Sequence, residues 1–157
     1  MRQTSYYSFF ILVVLVIPFT SSCNLQGYIT GNYPLGNHLW LWDNDRKEEK
    51  IIVYCEGDCH GGIYVVPTYE RHYDSIKQHF AEYVETTASD KNWVLAKTLK
   101  INEHKNFYYI ISKRFNIEHL DCSKVHCDSI LQSYVRGPLS LEEFNKKKQL
   151  LKIDLDF

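Results

Sequence analysis

The chain has 157 residues and a formal net charge of -1, with basic and acidic side chains interspersed along its length. This balance provides no basic face, which argues against nucleic acid as a partner, and the length suits one compact domain. The apolar fraction of 45% is ordinary for a globular protein, while the aromatic share of 15% favours β structure.

An apolar segment near the start of the chain has the length of a signal-peptide core. The run from Phe9 to Phe19 follows a short polar stretch and is too short to span a bilayer as a helix. The small residues Thr20–Ser22 occupy the positions that a signal peptidase reads. We therefore predict a signal peptide over residues 1–22 and an exported chain that begins at Cys23.

The apolar core, the small residues and Cys23 together resemble the lipobox of bacterial lipoproteins, although Thr20 stands where those proteins usually carry an aliphatic residue. The resemblance implies that Cys23 carries several acyl chains, palmitate among them, which hold a protein stably on a membrane. It also implies the outer membrane, because Asn24 is not the Asp associated with inner-membrane retention. The five cysteines agree, since lipid on Cys23 leaves an even number to pair. Ordinary secretion with a free thiol at Cys23 is the alternative.

The first part of the exported chain predicts a tether followed by strands. Residues 23–38 are rich in Gly, Asn, Tyr and Pro, a composition typical of irregular structure. Leu39–Asp43 and Lys50–Cys55 are strand candidates on either side of a charged turn, and we expect them to pair antiparallel. Ile63–Pro67 is predicted to be the next strand.

The middle of the chain predicts a helix and then a hairpin. Helical spacing relates four apolar residues, Ile76, Phe80, Tyr83 and Val84. This pattern predicts an amphipathic helix over residues 73–84. Trp93–Ile101 and Phe107–Lys113 are rich in aromatic and β-branched residues, and a five-residue polar connection joins them. These two segments predict a β-hairpin.

The end of the chain predicts a second helix. Residues 127–135 fit either a short helix or a strand. Ser140 and Glu143 form a capping box, which predicts a helix to about Leu150. Three apolar residues of this region, Leu141, Phe144 and Leu151, are expected to face the sheet. The alternating residues of Ile153–Phe157 predict a last strand.

Together these elements predict an α+β fold in one domain over residues 39–157, with a mainly antiparallel sheet of about five to six strands and two helices packed on one face. Four segments of this domain resemble a family of small bacterial lipoproteins that is classified only as a domain of unknown function. These segments are Trp93–Lys97, Tyr108–Ile111, Gly137–Leu139 and Phe144–Leu155. Because the motifs are structural, the resemblance implies a compact α+β lipoprotein and no particular activity.

Four further cysteines lie in two loops, Cys55 with Cys59 and Cys122 with Cys127. In an exported protein such cysteines are expected to form disulfides, either within each loop or across the two loops. The alternative is a metal site in which thiolates and the neighbouring His60 or His126 hold zinc. The spacings differ from those of a standard zinc knuckle, so disulfides are the favoured interpretation.

The sequence contains no GxSxG, HExxH or glycine-rich phosphate motif. Weaker groupings are His72 with Asp74 and His79, Asp43 with Glu56 or Asp58, the Lys146–Lys148 run, and Trp40 with Trp42 on one strand face. Packing or a solvated surface explains each grouping more simply than a catalytic, lipid-binding or ligand-stacking role.

We therefore expect a lipid-anchored protein of the cell envelope that is not an enzyme and uses no cofactor. It would bind a protein partner at the envelope or contribute to envelope structure. One alternative is an immunity or inhibitor lipoprotein that acts on an envelope toxin or hydrolase. Another is a metal-binding module that uses the cysteine and histidine loops.

Overall fold

The computed structural model describes residues 31–57 and 61–157, and the chain from Gly31 to Phe157 forms one compact unit. Within the described residues, ten strands form three antiparallel sheets, accompanied by three α-helices. The predicted α+β class with antiparallel pairing is confirmed. The predicted single sheet of five to six strands with two helices on one face differs from the structure, because the strands divide among three sheets.

Sheet 1 contains β1 (Asn32–Gly36), β2 (Leu39–Trp42), β3 (Ile51–Tyr54) and β4 (Ile63–Val66), which are adjacent in that order. A two-stranded ribbon contains β5 (Tyr73–Asp74) and β6 (His79–Phe80). Sheet 2 contains β7 (Glu82–Ser89), β8 (Trp93–Lys100), β9 (Lys105–Ser112) and β10 (Val135–Leu139), again adjacent in chain order. The helices are α1 (Tyr69–His72), α2 (Cys127–Ser133) and α3 (Leu141–Leu151).

Sheet 1 confirms the predicted antiparallel pairing of β2 with β3. Leu39 lies opposite Tyr54 and Leu41 opposite Ile52, and these four residues face the main core. Their neighbours point to the other face of the sheet, because successive side chains of a strand alternate. Trp40 and Trp42 therefore lie on this second face, opposite Val53 and Ile51.

The predicted tether is wrong over part of its length. Within residues 23–38, the segment Asn32–Gly36 is a strand that pairs with β2. Pro34 is tolerated because β1 is an edge strand, where one side of the backbone needs no ladder hydrogen bond. Gly36, with a φ of 87°, lies at the register shift of the β1–β2 pair, and Asn37 and His38, with φ values of 51° and 58°, form the turn into β2. The signal peptide, Cys23 and the rest of the predicted tether lie outside the described residues.

Sheet 2 is built on the predicted hairpin, which the structure confirms as β8 and β9. Their register runs from Trp93 opposite Ser112 to Lys100 opposite Lys105. Both faces of the hairpin are buried. One face contributes Val94, Ala96, Tyr109 and Ile111 to the core shared with sheet 1. The other face contributes Leu95 and Ile110, which pack with residues of α3 and the end of the chain.

Helix α3 confirms the predicted capping box. The Ser140 Oγ atom accepts a hydrogen bond from the Glu143 N–H, and Glu143 Oε2 lies 2.8 Å from the Ser140 nitrogen. Phe144 is buried against Tyr108, as predicted. Leu141 was predicted to face the sheet, but it is 54% exposed because it stands in the first turn, beyond the sheet-facing stripe. The predicted last strand also does not form, although Ile153 is buried in the same cluster.

The predicted helix over residues 73–84 is wrong. Asp74 Oδ1 accepts hydrogen bonds from the backbone N–H groups of Ile76 and Lys77, which folds the chain into a turn between β5 and β6. Gln78 adopts a left-handed φ of 52°, which a continuous helix excludes. Ile76 is consequently 93% exposed instead of facing a core.

Residues 127–135 contain both of the structures that the sequence left open. Helix α2 ends at Ser133, and β10 starts at Val135 and pairs with β9. The Gln132 side chain donates a hydrogen bond of 2.9 Å to the carbonyl of Val65 in β4. Helix α2 is thereby attached to the edge of sheet 1 while the chain that follows it joins sheet 2.

Candidate functional site

A surface cleft of about 500 Å³ lies where sheet 2, α2 and α3 approach one another. We call it the basic cleft. It is lined by Trp93, Ser112, Arg114, Ser133, Tyr134, Arg136, Leu150, Leu151 and Lys152. These residues come from the start of β8, the end of β9, the junction of α2 with β10, and the end of α3. The fold therefore assembles the cleft from four separate parts of the sequence.

Backbone hydrogen bonds hold the walls of the basic cleft in place. The Asp90 carboxylate accepts hydrogen bonds of 2.7 Å from the N–H groups of Asn92 and Trp93, which fixes the turn before β8. The Ser112 N–H donates a 3.0 Å hydrogen bond to the carbonyl of Tyr134, which joins two walls directly. The cleft is thus framed by elements whose backbone geometry is already determined by the sheet.

Three cations of the basic cleft have no ion-pair partner among the described residues. Arg114, Arg136 and Lys152 are all exposed, and no carboxylate of the described chain lies within ion-pair distance of them. Many other described cations form such pairs, namely Arg46, Lys50, Arg71, Lys77, Lys97, Lys100, Lys124 and Lys148. Among the described residues, the lining includes no acidic side chain. Other described lysines also lack an ion-pair partner, so the cleft is distinguished by three unpaired cations that share one concave site without a carboxylate.

Apolar side chains stand beside these cations. Trp93 and Tyr134 are half-buried, and the Tyr134 ring meets the edge of Phe115 with a centroid distance of 5.9 Å. Leu150 is 80% exposed at the rim. The basic cleft thus combines donors for an anion with ring and aliphatic surfaces, and an occupant that matches both is favoured.

A second polar cluster is buried inside the fold. We call it the Glu82 network, and it contains Arg71, His72, Glu82, Thr98 and Tyr109. Glu82 is only 1% exposed. Its Oε1 atom accepts hydrogen bonds from the Thr98 hydroxyl at 2.6 Å and the Tyr109 hydroxyl at 2.9 Å. Its Oε2 atom lies 2.5 Å from Arg71 Nη2.

Within the Glu82 network the carboxylate is fully satisfied, although the buried Nε atom of Arg71 has no hydrogen-bond partner among the described residues. Both oxygens of the Glu82 carboxylate already have donors, so neither is placed to take a proton from a substrate. Burial, followed by the charge of Glu82, raises the pKa of the Tyr109 phenol, which keeps that group a neutral donor. The network joins α1, β7, β8 and β9, and we interpret it as structural.

His72 belongs to the Glu82 network, and its surroundings favour the neutral imidazole. It is buried, and its Nδ1–H donates a 2.9 Å hydrogen bond to the backbone carbonyl of Glu82. Burial lowers the pKa of His72 below its usual range, although the nearby carboxylates of Glu49 and Glu82 oppose this effect. His72 does not join Asp74 and His79 in a site, because Asp74 caps the turn and His79 hydrogen-bonds its own strand.

The structure describes three of the four loop cysteines that the sequence analysis singled out. Cys122 and Cys127 are disulfide-bonded with a Cα–Cα distance of 5.4 Å, so the second loop is closed within itself. Neither sulfur is then available as a thiolate for zinc. Cys55 is buried and also disulfide-bonded. Cys59 and His60 lie outside the described residues.

The metal-site alternative gains no support from the residues that can be described. His126 is exposed at the start of α2. Across residues 31–57 and 61–157, no group of three or more His, Cys, Asp or Glu side chains is arranged to hold a metal ion.

The remaining predicted groupings are dispersed by the fold. Asp43 forms a 2.7 Å ion pair with Lys50, while Glu56 accepts a hydrogen bond from Tyr54, so these two carboxylates are used separately. Asp58 lies outside the described residues. Within the Lys146–Lys148 run, Lys148 pairs with Asp156 and lies over the Phe144 ring. Trp40 and Trp42 are half-buried on the second face of sheet 1, beside Ile51 and Val53.

Sequence reasoning identified neither the basic cleft nor the Glu82 network. The cleft residues are too far apart in the chain to form a pattern. Glu82 left no clear signal either, because β7 (EYVETTAS) contains several polar residues and an acidic side chain in such a strand is ordinarily exposed to solvent.

No protein-family model, characterised protein or solved structure matches this chain. In the part of the chain that the structure describes, no helix is long and apolar enough to cross a membrane.

Replacing Glu82 by Gln should lower the free energy of unfolding by about 3 kcal/mol, because Arg71 then loses its buried partner. Urea unfolding followed by circular dichroism measures this change. The matched control is E85Q, which breaks the 2.7 Å pair with Lys97 where both side chains are more than a quarter exposed. The control should cost under about 1 kcal/mol. Equal losses in both variants would contradict a special role for the Glu82 network.

The lowered pKa of His72 predicts a pH dependence of stability. The unfolded chain protonates this imidazole near its ordinary pKa of about 6.5, while the folded protein resists protonation. The contribution of neutral His72 to the free energy of unfolding is therefore complete above the pKa of the unfolded chain. It is lost as the pH falls through the lower pKa of the folded protein. Urea unfolding between about pH 7.5 and 5 should show a smaller loss for H72N than for the wild type. H119N, at an exposed histidine, should keep the wild-type loss, and an unchanged loss in H72N would refute the assignment.

Proposed function

We propose that this protein is a non-enzymatic binding domain held at the cell envelope by lipid on Cys23, and that the basic cleft is its binding surface. The lipobox-like start of the sequence supports the anchor. The unpaired cations of the cleft support the binding role and are the observation that carries the proposal.

The chemistry of the lining favours binding over catalysis. Ser112 contributes a hydroxyl group and the three cations contribute N–H donors, whereas the Ser133 hydroxyl already donates a 2.6 Å hydrogen bond to the Ile130 carbonyl. The described lining contains no histidine, carboxylate or thiol that would act as a base or strong nucleophile. Such a surface attracts and orients an anionic group, and it leaves that group chemically unchanged.

The unpaired state of the cations also favours an external partner. Arg114 and Arg136 present planar guanidinium groups, which bind carboxylate and phosphate oxygens through paired hydrogen bonds. Cations gathered in one concave site repel one another, and an incoming anion relieves that repulsion. Attraction of this kind raises the rate of association and is weakened by salt.

Site-specific photo-crosslinking in intact cells tests the binding surface. A benzophenone amino acid at Ser133, in the cleft, should give a discrete adduct, whereas the same group at the exposed Ser75 should not. The R114E/R136E variant should reduce the Ser133 adduct by about tenfold or more. The K47E/K105E variant makes the same change in net charge at two exposed lysines outside the cleft and should leave the adduct intact.

The anchor is tested in the same cells. C23S should move the protein out of the membrane fraction, because the acylated thiol is removed. A protein that stays in the membrane fraction after this substitution would contradict anchoring through Cys23. A Ser133 adduct that survives charge reversal of the cleft, or that is matched at Ser75, would contradict the binding surface.

A further inference from the structure

We infer that the occupant of the basic cleft is an acidic segment of a partner protein in which carboxylate side chains flank an apolar side chain. This inference rests on the proposed function and specifies the chemistry of the ligand. Three features support it: the donors of the cleft, the apolar surfaces between them, and the size of the cleft.

The donors match carboxylates that are spread along a segment. Arg114 follows β9, Arg136 lies in β10 and Lys152 follows α3. The three positive charges therefore line the cleft from three different walls. Three positive charges are more than a single carboxylate or phosphate group neutralises, so one such group leaves part of the positive charge uncompensated. A segment with several acidic side chains can satisfy donors on separate walls at once.

The apolar surfaces require an apolar group on the same occupant. Trp93 and Tyr134 provide ring surfaces, and Leu150 is 80% exposed at the rim. An inorganic phosphate or a bare carboxylate leaves these surfaces in water. Trp, Tyr and Arg are also the residues that dominate the energetics of protein interfaces, especially where they cluster in a pocket. The composition of the cleft therefore favours a protein segment.

Nucleic acid fits the site less well. Binding to a phosphate backbone relies on a track of basic residues along the strand, and its affinity grows with the number of phosphates neutralised. Here the lining contributes three cations and the whole chain has a formal charge of -1, which is little positive charge for binding a phosphate backbone.

The size of the cleft also suits a short protein segment. A volume of about 500 Å³ accommodates a few side chains of such a segment.

Nuclear magnetic resonance tests this inference directly. The ¹⁵N-labelled full-length lipoprotein is placed in nanodiscs of zwitterionic lipid, and empty nanodiscs correct for binding of each probe to lipid. Three probes are titrated: a capped hexapeptide that alternates Glu and Leu, a capped hexapeptide that alternates Glu and Ser, and inorganic pyrophosphate. The two peptides carry the same charge, so their comparison isolates the apolar contribution.

The Glu–Leu peptide should shift the backbone signals of Ser133 and Tyr134 and the indole signal of Trp93. Its dissociation constant should be on the order of 0.1 mM, and about tenfold lower than those of the Glu–Ser peptide and pyrophosphate. R114Q/R136Q should weaken its binding by about tenfold, whereas K47Q/K105Q should not. The wild-type comparison of the two peptides remains decisive if a variant fails to fold.

The outcomes separate this inference from the proposed function. If pyrophosphate or the Glu–Ser peptide binds the cleft as tightly as the Glu–Leu peptide, the acidic–apolar segment is wrong while anion binding stands. If no probe shifts the cleft signals at millimolar concentration, the cleft does not bind anions, and both the inference and the proposed binding surface are wrong.

Discussion

The structure depends on burial of the β8–β9 hairpin on both of its faces. Val94 and Ile111 pack into the core shared with sheet 1, while Leu95 and Ile110 pack beneath α3. Because both faces are covered, consecutive residues of each strand are buried, and burial of apolar surface stabilises a fold by about 25 cal/mol for each Å² removed from water. Sheet 1 and α3 are both needed because each covers one face of the hairpin that would otherwise be exposed to water.

This burial also determines where polar and charged groups can stand. Glu82 lies beside the hairpin away from water, and Thr98, Tyr109 and Arg71 satisfy its carboxylate. At the other end of the hairpin, Trp93 and Ser112 open onto the basic cleft. One end of sheet 2 therefore holds the buried Glu82 network, and the other end presents the unpaired cations of the basic cleft to solvent.

The sequence predicted those elements whose signals are local. The aromatic and β-branched residues of Trp93–Ile101 and Phe107–Lys113 predicted the hairpin, and the capping box at Ser140 predicted a helix. Both signals act within a few neighbouring residues, and both predictions were confirmed. The helix over residues 73–84 failed because the Asp74 turn overrode an accidental helical spacing. The basic cleft was missed because residues from Trp93 to Lys152 meet only through tertiary packing, and interspersed charges in sequence conceal a concentration of charge in space.

Measuring the electrostatic potential at the surface of the basic cleft tests most directly whether unpaired positive charge gathers there. Paramagnetic relaxation of backbone amide protons by an anionic and a cationic nitroxide measures that potential residue by residue in the full-length protein. We expect Ser133, Tyr134 and Arg136 to relax more strongly with the anionic probe, although the chain has a formal charge of -1. Equal relaxation by the two probes, or stronger relaxation by the cationic one, would contradict a cleft that gathers unpaired positive charge for an anionic partner.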